Sequence, residues 1–365
     1  MKNKNLIIFI PSIEGGGVEK NLFIITNYLS KNINNISLIT CDDYKERSNN
    51  INLVKPKSRF WKLQGRKLKY LICLILLIKQ IIIKKDVVVF SFQANLYASL
   101  ICKFFNQKII IRANSSSSGW SNNFIKRIIF YWLFKLPDEI IVNSKEFRNE
   151  LKSKFNVLSK YIYNPLDKEK ITSLTKKKFS YNFLKKKQYF KIISIGRLVD
   201  QKDHLTLINA VILLKKILNF KLLIIGNGKN KEKLQKVINK NKLSKSIKII
   251  NFQKNAYKFI KICDLFVLSS KYEGLPNVLL ESTFLKIPII SSDCKTGPKE
   301  ILLGNKGGVF FKTGHSKDLA KKILYSKNNY RIMKKKINYA FKFLHRFDEK
   351  KNLKKYLKLI NFYLK

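Results

Sequence analysis

Acidic side chains are scarce in this chain. Against 74 lysines and arginines stand 23 aspartates and glutamates, giving a formal net charge of +51. Histidine is rarer still: His204, His315 and His345 are the whole complement, and the first half has none. The five cysteines, Cys41, Cys73, Cys102, Cys263 and Cys294, are odd in number and widely spaced, with no C-x-x-C pair. That suggests neither a disulfide framework nor a zinc site, and it fits a reducing cytoplasm. No Asp-x-Asp pair falls at the end of a predicted strand, which removes the usual carboxylate platform for a metal ion; neither a metal nor another cofactor is expected. The dinucleotide fingerprint G-x-G-x-x-G is absent. No apolar run reaches the roughly 20 residues of a membrane span. The longest, LKYLICLILLIKQIII from Leu68 to Ile83, is interrupted by Lys69 and Lys79. The start, MKNKNLIIFIPSIEGGG, is basic and briefly apolar but has no small-residue cleavage site, so Leu6 to Ile10 reads as a first strand.

What is present is a chain of 365 residues, 45% apolar, long enough for two domains and too apolar for disorder. The positive excess has three readings. Heavy use of lysine, isoleucine, asparagine and phenylalanine points to compositional bias, under which many lysines are merely solvated. Attraction to anionic phospholipid and pyrophosphate-bearing substrates is the functional reading. Nucleic-acid binding is disfavoured, because lysine is scattered and no recognised module accompanies it. Bias combined with an anionic membrane surface is preferred.

Short apolar runs alternate with helical periodicity along the whole length, which predicts parallel sheets covered by helices on both faces. After Leu6–Ile10, the loop Ser12–Gly17 carries Gly15, Gly16 and Gly17 before a helix with Leu22, Ile25 and Leu29 on its apolar face. Leu68–Ile83 reads as a core helix feeding the strand Val87–Phe92, or as a helix lying in a membrane interface. Strand Ile109–Ile111 leads into a polar loop from Arg112 and Asn114 to Trp120. FIKRIIFYWLFK, ending at Phe134 and Lys135, is an amphipathic helix whose aromatics suit a core or a membrane interface. The lysine-rich stretch 176–187 reads as a linker. In the second half, strand Lys191–Gly196 is followed by Arg197 and Lys202, Leu222–Ile225 by Gly226-Asn227-Gly228, and Ile247–Phe252 by a short helix. A guanidinium and an ammonium at a strand end can neutralise a diphosphate; in so basic a chain they are also ordinary surface cations. His204 reads as a helix-start residue.

The most distinctive stretch is DLFVLSSKYEGLPNVLLESTFLKIPIISSDCKTGPKE, Asp264 to Glu300. Leu265–Leu268 is a buried strand, Glu273-Gly274 a turn, and Pro276 opens a helix whose apolar face is Val278, Leu279 and Leu280. Ile287–Ile290 returns as the next strand. Open α/β sheets bind ligands at such strand ends. Glu273 and Glu281, with seven residues between them, flank the helix amides, an arrangement suited to a sugar, a diphosphate and a ribose diol. Two solvated glutamates on an ordinary surface helix would carry the same spacing.

Tyr272-Glu273-Gly274-Leu275-Pro276-Asn277, Leu280-Glu281, Ser292-Asp293-Cys294 and Gly297-Pro298-Lys299-Glu300-Ile301 together resemble the donor-site region of retaining GT-B glycosyltransferases, called glycosyl transferase group 1 or family 4. Ser194-Ile195-Gly196-Arg197-Leu198 with Lys202, and Ile225-Gly226-Asn227-Gly228, extend the resemblance through most of the second half. It implies two Rossmann-like doubly wound domains facing a cleft: residues 1–172 for the acceptor, 173–345 for the donor, and 346–365 a helix returning to the first domain. It implies Arg197 and Lys202 as ligands of the donor diphosphate, with Glu273 orienting the sugar and Glu281 holding the ribose. Gly196, Gly226, Gly274, Leu275, Pro276, Asn277 and Val278 would line the donor, faced by Gly15, Gly16 and Gly17. Many members carry a histidine in the first domain near the transferred sugar. Here Arg112 or Asn114 would have to replace it. The implied activity is metal-independent transfer from a nucleotide-diphosphate sugar, UDP-linked by preference. The implied acceptor is a saccharide or polyprenyl-diphosphate-linked saccharide, as in lipopolysaccharide and other surface-polysaccharide assembly. The implied place is cytoplasmic, peripheral at the inner face of the membrane. A GT-B-fold sugar-nucleotide epimerase and a non-catalytic basic membrane or nucleic-acid binder are the rivals.

Overall fold

The computed structural model describes residues 5–13, 16–44, 50–58, 60–114 and 124–365. The chain divides into two compact units, Met1–Pro165 with Glu349–Lys365, and Leu166–Asp348.

The first unit is built on seven strands: β1 (Asn5–Phe9), β2 (Ile36–Ile39), β3 (Ile51–Val54), β4 (Val87–Ser91), β5 (Lys108–Ala113), β6 (Glu139–Val142) and β7 (Lys160–Tyr161). They pair in the order β3-β2-β1-β4-β5-β6-β7, every pair parallel. Successive residues of a strand point to opposite faces. Ile7 and Phe9 of β1 therefore enter one core, with Cys73, Leu77 and Ile81 of the helix Arg66–Lys84. Leu6 and Ile8 enter the other, with Leu22, Ile25 and Leu29 of the helix Gly17–Ser30. Burial on both faces is why these strands read as unbroken apolar runs. The helix Glu349–Leu364 closes the second core with Leu353, Tyr356 and Ile360. Among the described residues, no helix is long and apolar enough to cross a membrane.

The second unit repeats the plan with β8 (Phe190–Ile195), β9 (Phe220–Ile225), β10 (Ile247–Ile250), β11 (Leu265–Leu268), β12 (Ile289–Ser292) and β13 (Val309–Phe311), in the parallel order β10-β9-β8-β11-β12-β13. In both sheets the chain winds outward one way, then returns to the middle and winds the other way. The reversals lie between β1 and β4 and between β8 and β11, and loops leaving those strand ends diverge to leave a crevice.

Several expectations shift. The strand expected over Ile287–Ile290 begins at Ile289, because Pro288 has no amide to donate and serves only as acceptor, from Phe266 N–H. Strands β2, β3 and β13 and the helix Lys168–Thr175 were not anticipated. The expected linker at 176–187 contains a 3-10 turn, Asn182–Leu184, that buries Leu184.

Arg112 is the largest correction. Its position was expected in a polar loop; it lies in β5 and is fully buried. Its guanidinium donates to Tyr356 Oη (2.9 Å), Asn164 Oδ1 (2.6 Å) and Asn114 Oδ1, and stands 5.8 Å from the centre of the Phe92 ring. Removing one acceptor from a buried charged donor costs on the order of 1–3 kcal/mol. Tyr356→Phe, which keeps the ring and removes the hydroxyl, is expected to lower the melting temperature of the first unit by several degrees in calorimetry. An unchanged transition would show that Tyr356 is dispensable to Arg112.

His204, the first residue of the helix His204–Leu214, is buried, and its Nδ1 has no hydrogen-bond partner. Desolvation, helped by the Lys202 ammonium, lowers its pKa from 6.5 to about 3. The folded imidazole stays neutral while the unfolded one takes up a proton, so stability is lost as pH falls from 6.5 towards 3. Between pH 7 and pH 5 this amounts to about 2 kcal/mol. Urea unfolding of His204→Leu should show a pH dependence shallower by about that amount. Equal slopes in variant and parent would refute the buried neutral imidazole.

Candidate functional site

Four of the residues singled out in the second unit lie at the strand ends where its sheet reverses. Gly196, Arg197 and Lys202 follow β8, and Glu273 follows β11. Their loops touch backbone to backbone. A Cβ on Gly226, after β9, would lie 1.9 Å from the Gly196 carbonyl oxygen, and one on Gly297 would lie 1.8 Å from that of Gly274. Gly297 also holds φ at +85°, which side chains resist. These positions admit only glycine, and they clamp the loops after β8 and β9, and after β11 and β12, into fixed pairs.

Glu273 is the centre of the cluster. Its Oε1 receives the Lys202 ammonium at 2.5 Å and the Ser270 hydroxyl at 2.6 Å. Both side chains of the ion pair are nearly buried, at 16% and 7% exposure. Oε2 accepts no hydrogen bond among the described residues. The Thr296 hydroxyl donates to the Glu273 carbonyl (2.6 Å), and Ser292 to that of Ser270 (2.6 Å). Gln201 joins the two loops: its side-chain amide donates to the Tyr272 carbonyl (3.0 Å), and its own carbonyl accepts from Lys271 N–H (2.8 Å). Arg197 is exposed, and its guanidinium donates to Gln201 Oε1 at 3.3 Å. Gln201, Ser270 and Thr296 were not singled out from the sequence, and Ser292 was matched within Ser292-Asp293-Cys294 without a role of its own. For Ser270 and Ser292 the signal existed, hydroxyls in the last turn of chain leaving a strand.

Pro276 caps the helix Asn277–Phe284 in an extended conformation, so the helix begins one residue later than expected. Leu279 and Leu280 are buried as its apolar face, whereas Val278 is half-exposed; Gly274 and Leu275 are buried in the approach. Glu281 lies on this helix and is buried. Burial, with the Glu273 charge nearby, pushes the Cys294 thiol up to about 12, so it is an inert filler and not a nucleophile. A cation held on a carboxylate, a second and exposed cation, and a helix N-terminus at one switch point can take a polyanion together with hydroxyl groups.

The first-unit candidates are placed at the ends of β1 and β5. Gly16 caps and Gly17 begins the helix after β1; Gly15 lies outside the described residues. Asp42 holds the chain where it leaves β1: its Oδ2 accepts from Ile13 N–H (2.7 Å) while its Oδ1 holds the Lys69 ammonium (2.7 Å). Asn114 Nδ2 donates to the carbonyls of Phe92 (3.0 Å) and Arg112 (3.1 Å). Arg112 and Asn114 thus bind each other and the scaffold, and Arg112 is not available as a ligand contact in this conformation.

The chain matches the family models Glycosyltransferase Family 4 over residues 15–170 and Glycosyl transferases group 1 over residues 175–343. It is 37% identical over 206 residues to an uncharacterized glycosyltransferase of Methanocaldococcus jannaschii, covering 54% of this chain and 51% of that protein. It is 29% identical over 223 residues to the N-acetylgalactosamine-N,N'-diacetylbacillosaminyl-diphospho-undecaprenol 4-alpha-N-acetylgalactosaminyltransferase of Campylobacter jejuni, covering 58% and 59%. The chain spans little more than half the length of these two relatives. Among solved structures, Anabaena HepE in complex with UDP and glucose superposes with a TM-score of 0.78 at 15% identity, over 98% of this chain and 99% of that one. With both units doubly wound and both family models matched in order, the chain belongs to the group 1, family 4 glycosyltransferases of the GT-B fold.

Proposed function

We propose that this protein transfers a sugar from a nucleotide-diphosphate donor, UDP-linked by preference, to a saccharide or lipid-linked saccharide with retention of anomeric configuration. The acceptor class is a polyprenyl-diphosphate or comparable carrier in surface-polysaccharide assembly, met at the inner face of the cytoplasmic membrane. The observation that carries the reading is the Lys202–Glu273–Ser270 contact at the β8/β11 reversal, with Arg197 beside it. The names of the Campylobacter relative and of the UDP-bound HepE structure support the acceptor and the donor respectively.

In this reading residues 1–172 take the acceptor and residues 173–345 the donor, with residues 346–365 returning to the first domain. Arg197 and Lys202 bind the donor diphosphate, and the helix Asn277–Phe284 aims its positive end at it. Glu281 accepts hydrogen bonds from the ribose hydroxyls. Glu273 offers Oε2 to a hydroxyl of the transferred sugar while Oε1 keeps Lys202 in place. The bond from the anomeric carbon to the diphosphate oxygen breaks with its electron pair going to that oxygen. The acceptor oxygen then bonds to the same face, and its proton passes to the departing phosphate. Arg197 and Lys202 meet the charge as it develops on the leaving group, the largest electrostatic contribution expected here.

Thermal unfolding with UDP, GDP and ADP tests the donor class. At about a hundred times its dissociation constant a ligand adds about 2.7 kcal/mol, a shift of several degrees. The shift should appear with UDP and be lost in Glu281→Ala; silence with all three nucleotides would overturn the reading. Steady-state kinetics of Arg197→Ala should show kcat/KM down about a hundredfold or more. A nearly fully active variant would remove Arg197 from the leaving-group site.

A further inference from the structure

We propose that three helices of the first unit, Arg66–Lys84, Asn95–Phe104 and Phe124–Leu133, together form a face that docks on an anionic lipid bilayer. A surface helix ordinarily carries one apolar stripe, turned to the core. The helix Arg66–Lys84 carries two. Cys73, Leu77 and Ile81 are buried against the sheet, while Leu71, Ile75 and Ile82 are each more than half exposed. The same doubling recurs on its neighbours. Asn95–Phe104 buries Ala98 and Cys102 and exposes Tyr97 (61%) and Phe104 (85%); Phe124–Leu133 exposes Trp132 (64%).

The three stripes face one way. The inner sides of all three helices meet one core on one side of the seven-stranded sheet, and the middle helix touches both others. The faces opposite that core therefore point away from the sheet together. Of the 21 large apolar side chains exposed among the described residues, 13 lie between Phe60 and Trp132, so the exposure is concentrated and not scattered.

Charge selects the occupant. None of the three helices contains an acidic residue. Arg66, Lys67 and Lys79 are exposed on or beside the stripes, and Lys103, also exposed, pairs with Asp138 at 3.5 Å. Lys135 lies 4.1 Å from the ring centre of Tyr131 and 5.2 Å from that of Trp132, an aromatic–cation pair of the kind that settles at headgroup depth. A second copy of a chain with net charge +51 would meet this face with charge of the same sign. An anionic bilayer offers apolar acyl chains beneath a layer of phosphate, which matches both features. The inference rests on the proposed lipid-linked acceptor only for its biological sense, and the docking itself is independent of catalysis.

Flotation with phosphatidylglycerol/phosphatidylcholine vesicles, against phosphatidylcholine alone, tests it. Ile75→Glu and, separately, Tyr97→Ser with Phe104→Ser should each weaken partitioning onto the anionic vesicles by about tenfold. Leu213→Glu, at an exposed position in the second unit, supplies the same charge change as Ile75→Glu and should leave partitioning within about twofold. Far-ultraviolet circular dichroism verifies that each variant is folded. Either result overturns the proposal: a parent protein that stays with the buffer, or face variants that float as well as the parent. A parent that is a dimer without lipid, with Ile75→Glu monomeric and neither bound to vesicles, would assign the face to self-association instead. The UDP-induced thermal shift should be unchanged in Ile75→Glu, which separates loss of docking from loss of the donor site.

Discussion

Lys202 and Glu273 share one short contact, and most of the second unit's strand-end architecture serves to keep that pair ordered away from bulk water. Two opposite charges brought out of water are held only if geometry and supplementary hydrogen bonds offset their desolvation, and losing one partner leaves a stranded charge worth about 3–5 kcal/mol. Ser270 supplies the supplementary bond, and Thr296 and Gln201 hold the backbone on either side of the carboxylate. The two glycine contacts then fix the loops that carry these groups. The pair is thus held in place from four directions while one carboxylate oxygen stays available.

That arrangement makes sense of a chain with so few acids. With 74 lysines and arginines against 23 aspartates and glutamates, most cationic side chains have no carboxylate to pair with, and a carboxylate is a scarce resource. Three of the described acids position something: Asp42 holds Ile13 N–H after β1, Asp138 gathers Lys103 and Lys108 and caps Ile109 N–H, and Glu273 fixes Lys202. For Asp138, burial opposes ionisation, but the Ile109 amide and the lysines outweigh it and hold its pKa below the usual carboxylate value.

The sheets were legible because strands buried on both faces write themselves as runs such as Leu-Ile-Ile-Phe and Val-Val-Val-Phe, and no other short element does so. Strands of three or four residues with mixed surroundings, such as β3 and β13, carry no comparable signal. In the second unit the charged and glycine residues of the candidate site were readable as motifs, since their types are dictated by chemistry or by close backbone approach. Gln201 and Thr296 were not, because their contacts to backbone carbonyls could have come from any donor-bearing side chain. Arg112 misled for a related reason. Beside Ala113, Asn114 and a run of serines it looked solvated, and the tyrosine that buries it lies 244 positions further along.

That separation bears on the order in which the protein can be made. The second unit is one continuous segment, so all of its strands are available once residue 348 has been synthesised. The first unit is discontinuous. At translation rates of about 5–20 residues per second, roughly ten to fifty seconds separate the emergence of Arg112 from that of Tyr356. Throughout that interval the surface over Leu6, Ile8, Phe90 and Ile110 lacks the helix that covers it, and a buried guanidinium lacks one of its acceptors. The N-terminal unit begins first on the ribosome and is completed last, which makes its unfinished sheet the species a chaperone would meet.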